Sequence, residues 1–154
     1  MTRRIIPTLL FLGFAWGQGL SPYISPGIQI GMNSNQTLFF SSQITIGLGY
    51  QIGKNFQDTL PLWIGRTLGI RVYRKNGEKP KLYRYYDNQI STSIGGMGMG
   101  KLINSHGEAF KKNKYWIGAF GLVTYEKIIF SDKIEKQYGL FGVIPIPLEL
   151  NSSR

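Results

Sequence analysis

The chain has 154 residues, enough for one domain with a single core and too few for two. It carries 20 Gly, 9 Phe, 9 Tyr and 3 Trp, a balance that favours β-structure, and no cysteine, which excludes disulfides and thiolate metal sites. The formal charge of +10 raises nucleic acid as a partner to be weighed.

Residues 1–17 read as a secretory signal peptide. Arg3 and Arg4 form a basic start, Ile5–Trp16 is an apolar run of 12 residues, and Ala15-Trp16-Gly17 supplies small residues before a cleavage point. The run falls short of the ~20 residues a spanning helix needs. The mature chain is therefore expected to start near Gln18, outside the cytoplasm, as one domain over residues 18–154 with a charge of +8.

Strand-like segments follow, separated by turn residues. Tyr23–Met32 leads to a turn at Asn33-Ser34-Asn35. In the next strand, Gln43–Ile52 alternates Ile44, Ile46, Leu48, Tyr50 and Ile52 with Gln43, Thr45, Gly47, Gly49 and Gln51. Leu62–Arg74 repeats the pattern with Ile64, Leu68, Ile70 and Val72 opposite Gly65, Thr67, Gly69 and Arg71. Asn76-Gly77 then gives a strong hairpin signal. Lys81–Tyr86 is a strand before an expected turn at Asp87-Asn88, and Gln89–Leu102 follows. Lys114–Phe130 reads as one long strand, apolar on both faces. Ser131–Glu135 turns the chain into Gln137–Leu150, where Pro145 and Pro147 mark an edge or irregular strand. These segments delimit seven strands.

The stretch Ile94–Lys101, IGGMGMGK, matches the G-x-x-x-x-G-K half of a phosphate-binding loop. Leu102 stands where such a loop needs Ser or Thr for magnesium, and Asn104-Ser105-His106-Gly107 gives no helix start. The run reads better as a strand with Gly96, Gly98 and Gly100 on one bare face and Met97 and Met99 on the other.

Period two alone does not say which face is outside. A soluble sheet turns Lys, Glu, Arg and Thr to water, but the weaker face of Gln43–Ile52 is Gln, Thr, Gly, Gly, Gln. Small residues suit a narrow barrel interior. Charges gather at expected turns: Arg74, Lys75, Glu78, Lys79 and Lys81; Lys111, Lys112 and Lys114; Asp132, Lys133, Glu135 and Lys136. Aromatics such as Trp63, Tyr73, Tyr83, Tyr115 and Tyr138 lie beside them, as in interfacial girdles. On these features the chain resembles a small outer-membrane β-barrel of the OmpA/OmpX-like kind over about residues 23–150. The resemblance implies an up-and-down antiparallel barrel of eight transmembrane strands, one more than the pattern delimits. Arg66 falls on the apolar face, where lipid contact at mid-membrane costs roughly 2–4 kcal/mol.

Ser105, His106 and Glu108 suggest a hydrolytic triad, as barrel lipid hydrolases use such groups. They sit in a polar loop with nothing to fix their geometry. One His and eight carboxylates give little basis for a metal site. The basic excess suits an anionic surface glycolipid or lipid headgroups better than nucleic acid in an exported protein. Arg71 and Glu126 are candidates for a pair inside the lumen. The expectation is an all-β, eight-stranded transmembrane barrel of the cell outer membrane with a structural, adhesive or narrow-pore role. No catalytic, cofactor-binding or metal-ligating residues are assigned, and membrane lipid is the partner. The alternative is a soluble periplasmic β-sandwich or lipocalin-like binder.

Overall fold

The computed structural model of the protein describes residues 20–52, 60–118 and 123–148; the expected signal peptide lies outside them. The strands are β1 (Leu20–Asn33), β2 (Leu38–Ile52), β3 (Leu60–Arg74), β4 (Lys81–Thr92), β5 (Gly95–Ile103), β6 (Ala109–Ile117), β7 (Val123–Ile129) and β8 (Ile134–Val143). A two-residue strand, β9 (Ile146–Pro147), continues β8 beyond a break at Ile144-Pro145. From β1 to β8 each strand pairs antiparallel with the next, and β1 pairs with β2, β8 and the short β9, closing an eight-stranded up-and-down barrel. Closure satisfies every edge that an open sheet would leave unpaired.

Four turns lie at one end. In the first, Asn33 folds the chain by accepting from the backbone N–H groups of Asn35 and Thr37 through its Oδ1, at 3.0 and 2.8 Å. The second contains Gly77 at φ 81°, the left-handed position that Asn-Gly hairpins require. A row of cross-strand partners shows how steeply the strands lean. It starts at Met32, passes through Tyr138, Tyr125, Tyr115, Met97, Ile90, Ile64 and Leu48, and returns to β1 at Pro22. It comes back ten residues lower after eight strands, a stagger of about 1.25 residues per strand. Stagger of this size goes with strongly tilted strands.

The alternation settles which side is inside. Thr45, Thr67, Gln29 and Gln137 are buried, whereas Ile28, Ile46, Ile64 and Leu68 on the outer wall are 60, 56, 56 and 52 % exposed. Glycines make room for the interior rings. Gly69 pairs with Tyr85 and Gly96 with Trp116, and a β-carbon at either glycine would overlap the partner's ring. The bare face expected of Gly96, Gly98 and Gly100 is this inward one.

Three boundaries differ from the sequence reading. Asp87-Asn88 is not a turn: it lies mid-β4, with Asp87 paired to Thr67 and Gly100. The turn comes at Ser93-Ile94, so the expected strand Gln89–Leu102 is divided there. The expected strand Lys114–Phe130 is β6 and β7, which pair with each other. Lys112 and Lys114, taken as turn residues, belong to β6 and point inward.

Candidate functional site

The interior is layered along the barrel axis. Nearest the turn-bearing end, Phe39, Tyr73, Tyr85, Leu102 and Ile128 form an apolar plug, with Tyr83, Phe110 and Phe130 against it. At the other end, Trp116 packs on Phe141, rings 5.9 Å apart. Between them lies a charge cluster.

Arg71 is its centre and is wholly buried. Glu126 was a candidate partner from the sequence, and the structure brings the two together as a bidentate pair. Nη1 donates to Glu126 Oε2 at 2.5 Å and Nη2 to Oε1 at 3.0 Å. The other guanidinium donors are also used. Nε donates to Ser41 Oγ (2.7 Å), Nη1 to Gln137 Oε1 (2.8 Å) and Nη2 to Gln29 Oε1 (3.2 Å). Phe39 stacks 4.3 Å from the guanidinium carbon. A planar five-donor fork meets five acceptor contacts from four strands, a geometry lysine does not reproduce. Arg71 thus clamps β1, β2, β7 and β8 to β3 from within.

Two lysines stand below it. Lys112 donates to Asp87 Oδ2 at 2.5 Å, lies 3.6 Å from Glu126 Oε1 and sits over the Tyr85 ring. Lys114 has no carboxylate within salt-bridge distance among the described residues. Its ammonium lies 3.4 Å from the centre of the Phe141 ring and 3.5 Å from Gln43 Oε1. Three cations therefore share the layer with two carboxylates. Neutral side chains extend the network as far as the Glu135 carboxylate: Tyr85 OH donates to Gln43 Oε1 (2.8 Å), Gln29 Nε2 to Thr124 Oγ1 (3.0 Å), and Gln137 Nε2 to Tyr73 OH (2.7 Å) and Glu135 Oε1 (2.8 Å). Gln43 Nε2 and Asp87 Oδ1 remain without a protein partner, and buried atoms of that kind are where an ordered water belongs.

The turn-bearing mouth opens into a cleft of about 390 Å³ above Tyr73, Tyr83 and Phe130. Lys75, Lys79, Lys81 and Lys133 rim it, with Glu78 and Glu135 between them. Lys75 donates to Glu78 at 2.9 Å, and this bond, with the charges of Lys75 and Lys81, holds the Glu78 carboxyl below its usual range.

Ser105, His106 and Glu108 do not converge. They occupy the exposed third turn, where Asn104 Oδ1 accepts from the backbone N–H groups of His106 and Glu108, and Asn104 Nδ2 donates to the Glu108 carboxylate at 2.6 Å. The carboxylate is thus spent on the turn. Lys101, from the phosphate-loop match, faces outward on β5, paired with Lys111.

Sequence reasoning missed Asp87, Lys112, Lys114 and Glu135 as interior residues. The signal was present: Lys112, Lys114 and Trp116 share one face of β6, and Asp87 shares a face with Tyr85 and Gln89. Fold and interior together define a closed eight-stranded β-barrel whose lumen is filled by an ion-pair network. No protein-family model, curated protein or solved structure matches the chain.

Proposed function

We propose that the protein is a transmembrane β-barrel of the outer membrane, exported by its signal peptide, with a structural or adhesive role and no catalysis. The observation that carries this is the inversion of polarity: charged and amide side chains fill the inside, and Ile, Leu, Met and Phe cover the outside. In water such an outer wall far exceeds the apolar patches monomers expose. In lipid it matches the apolar band of membrane barrels, and closure pairs the two end strands that an open sheet would leave free. Arg66 faces outward within that band, its guanidinium carbon 5.0 Å from the centre of the Tyr86 ring. Tyr86 lies nearer the turn-bearing end, so the side chain reaches toward an interface.

Among the expected roles, the filled lumen favours anchor or adhesin over pore, because Arg71, Glu126 and Lys112 occupy the cross-section with none of their surface open. A lipocalin-like binder is disfavoured on the same ground: its ligand site would be an apolar cavity where this barrel places ion pairs.

The test is detergent dependence. The folded chain should partition into membranes, need detergent for extraction and migrate differently on gels before and after boiling. Recovery as a soluble monomer without detergent refutes the reading. In planar bilayers the folded protein should give no stable conductance.

A further inference from the structure

The outward charges are all of one sign. Asp87, Glu126 and Glu135 point inward, and Glu78, Glu108 and Asp132 sit in turns, so among the described residues no carboxylate lies on the outer wall of a strand. Seven cations do: Arg66 and Arg74 on β3, one well below and one above the rest, and Arg84 on β4, Lys101 on β5, Lys111 on β6, Lys127 on β7 and Lys136 on β8, which form an arc of five.

Their heights are matched to the lean of the strands. From β4 to β8 the paired rows climb about 1.25 residues per strand toward the turns, so a level ring must drop two residues at about every second strand. The cations make those drops. Arg84 pairs with Ile103, and Lys101 is two residues below it; Lys101 pairs directly with Lys111. Lys111 pairs with Ile129, and Lys127 is two residues below it; Lys127 pairs directly with Lys136. The five therefore share one level, within about 5 Å along the axis at ~3.3 Å rise per tilted residue. They sit above Tyr115, Tyr125 and Tyr138, whose ring centres lie 6.3 and 5.3 Å apart across β6–β8.

The arc is one-sided. At the same level β1, β2 and β3 present Met32, Phe40 and Val72. Like charges directly opposite across a ladder repel, and Lys101/Lys111 and Lys127/Lys136 are two such pairs without a counter-ion from the described chain. A general preference for headgroups would need no such concentration on one flank.

We propose that this arc binds a bis-phosphorylated glycolipid of the surrounding leaflet, one phosphate at Lys101 and Lys111, the other at Lys127 and Lys136. The inference rests on the membrane reading above. The lipid's acyl chains lie along the apolar wall below the tyrosines, and Arg84 flanks the first phosphate.

The experiment uses the full chain folded in maltoside micelles with bis-phosphorylated lipid A, monophosphorylated lipid A or phosphatidylglycerol, with retained lipid read by native mass spectrometry and gel heat-modifiability read on the same samples. Expected is preferential retention of the bis-phosphorylated lipid, abolished in K101Q/K111Q/K127Q/K136Q and unchanged in K75Q/K79Q, which removes two turn lysines. Should the fourfold variant fail to fold, K111Q/K136Q takes one lysine from each pair and should bind about 30-fold more weakly, at roughly fivefold lost per lysine near a charged surface. Heat-modifiable protein that retains phosphatidylglycerol equally well, or lysine variants that bind as the parent does, overturn the arc alone. A chain that stays monomeric without detergent overturns the membrane reading itself.

Discussion

Removing either half of the central ion pair should harm the barrel unequally, and the acid should be the worse loss. Arg71→Met takes away one of three buried cations, leaving Lys112 and Lys114 with Asp87 and Glu126, two charges of each sign. Glu126 still has Lys112 at 3.6 Å. Glu126→Gln keeps the shape but leaves Arg71, Lys112 and Lys114 facing Asp87 alone; Glu135, toward the mouth, is already held by Asn33 and Gln137. Orphaning a buried charge costs about 3–5 kcal/mol, so we expect about 3 for Arg71→Met and about 5 for Glu126→Gln. The double variant Arg71→Met/Glu126→Gln should cost about 3 kcal/mol less than the two singles together, because neither partner of the pair is left charged and alone. Urea unfolding from phosphatidylcholine vesicles, followed by the fluorescence of Trp63 and Trp116, measures all three. An Arg71→Met variant less stable than Glu126→Gln, or two singles that each cost under about 1 kcal/mol, would refute the charge count.

The two lower lysines should respond in opposite directions. Lys112→Met strands Asp87, which already has one unpartnered oxygen, and should cost about 3 kcal/mol; Lys114→Met replaces a cation that lacks a carboxylate and should be neutral or stabilise by about 1–2 kcal/mol. The same unfolding assay reads both. Gly69→Val drives branched carbons into the Tyr85 ring and should lower stability by about 1–3 kcal/mol, with Gly69→Val/Tyr85→Ala recovering part of the loss. Glu78, whose carboxyl is held below its usual range by the Lys75 bond, contributes stability present above the unfolded value and lost as pH falls through the folded one. Thermal unfolding of the parent and Glu78→Gln should therefore differ at pH 7 and converge at pH 2–3.

Strands announced themselves where one side chain in two was apolar and the other small, as in Ile44-Thr45-Ile46. That pattern survives because β2 turns an apolar face outward and packs small or hydrogen-bonding side chains inside. It failed at Asp87-Asn88, since Asp and Asn are turn formers by local chemistry, and nothing nearby in sequence reveals that Lys112 will supply a counter-ion across the lumen. It failed again at Lys112 and Lys114, because lysine is rarely buried and three lysines within four residues look like a solvated loop. Arg71 was readable as a lumen charge because it is the lone charge on the small-residue face of its strand, and Glu126 was a candidate partner whose facing only the division of Lys114–Phe130 into β6 and β7 fixed. The basic arc was invisible for another reason: its members are far apart in sequence, and only the measured stagger brings them level.

The joint between β1 and β8 carries a consequence for assembly. Pro22 and Pro26 on β1, and Pro145 and Pro147 beyond β8, remove backbone donors around one line of the wall. There the ladder thins to Ile144 N–H to Pro26 O at 3.1 Å, Leu148 N–H to Pro22 O at 2.9 Å and the short β9 pairing. Since β1 and β8 are the two ends of the sheet in sequence, their union spans the longest loop and is expected to form last. The lower half of that union is the natural site for transient opening: it is where hydrogen exchange should begin, and where a newly closed cylinder would stay unlatched the longest.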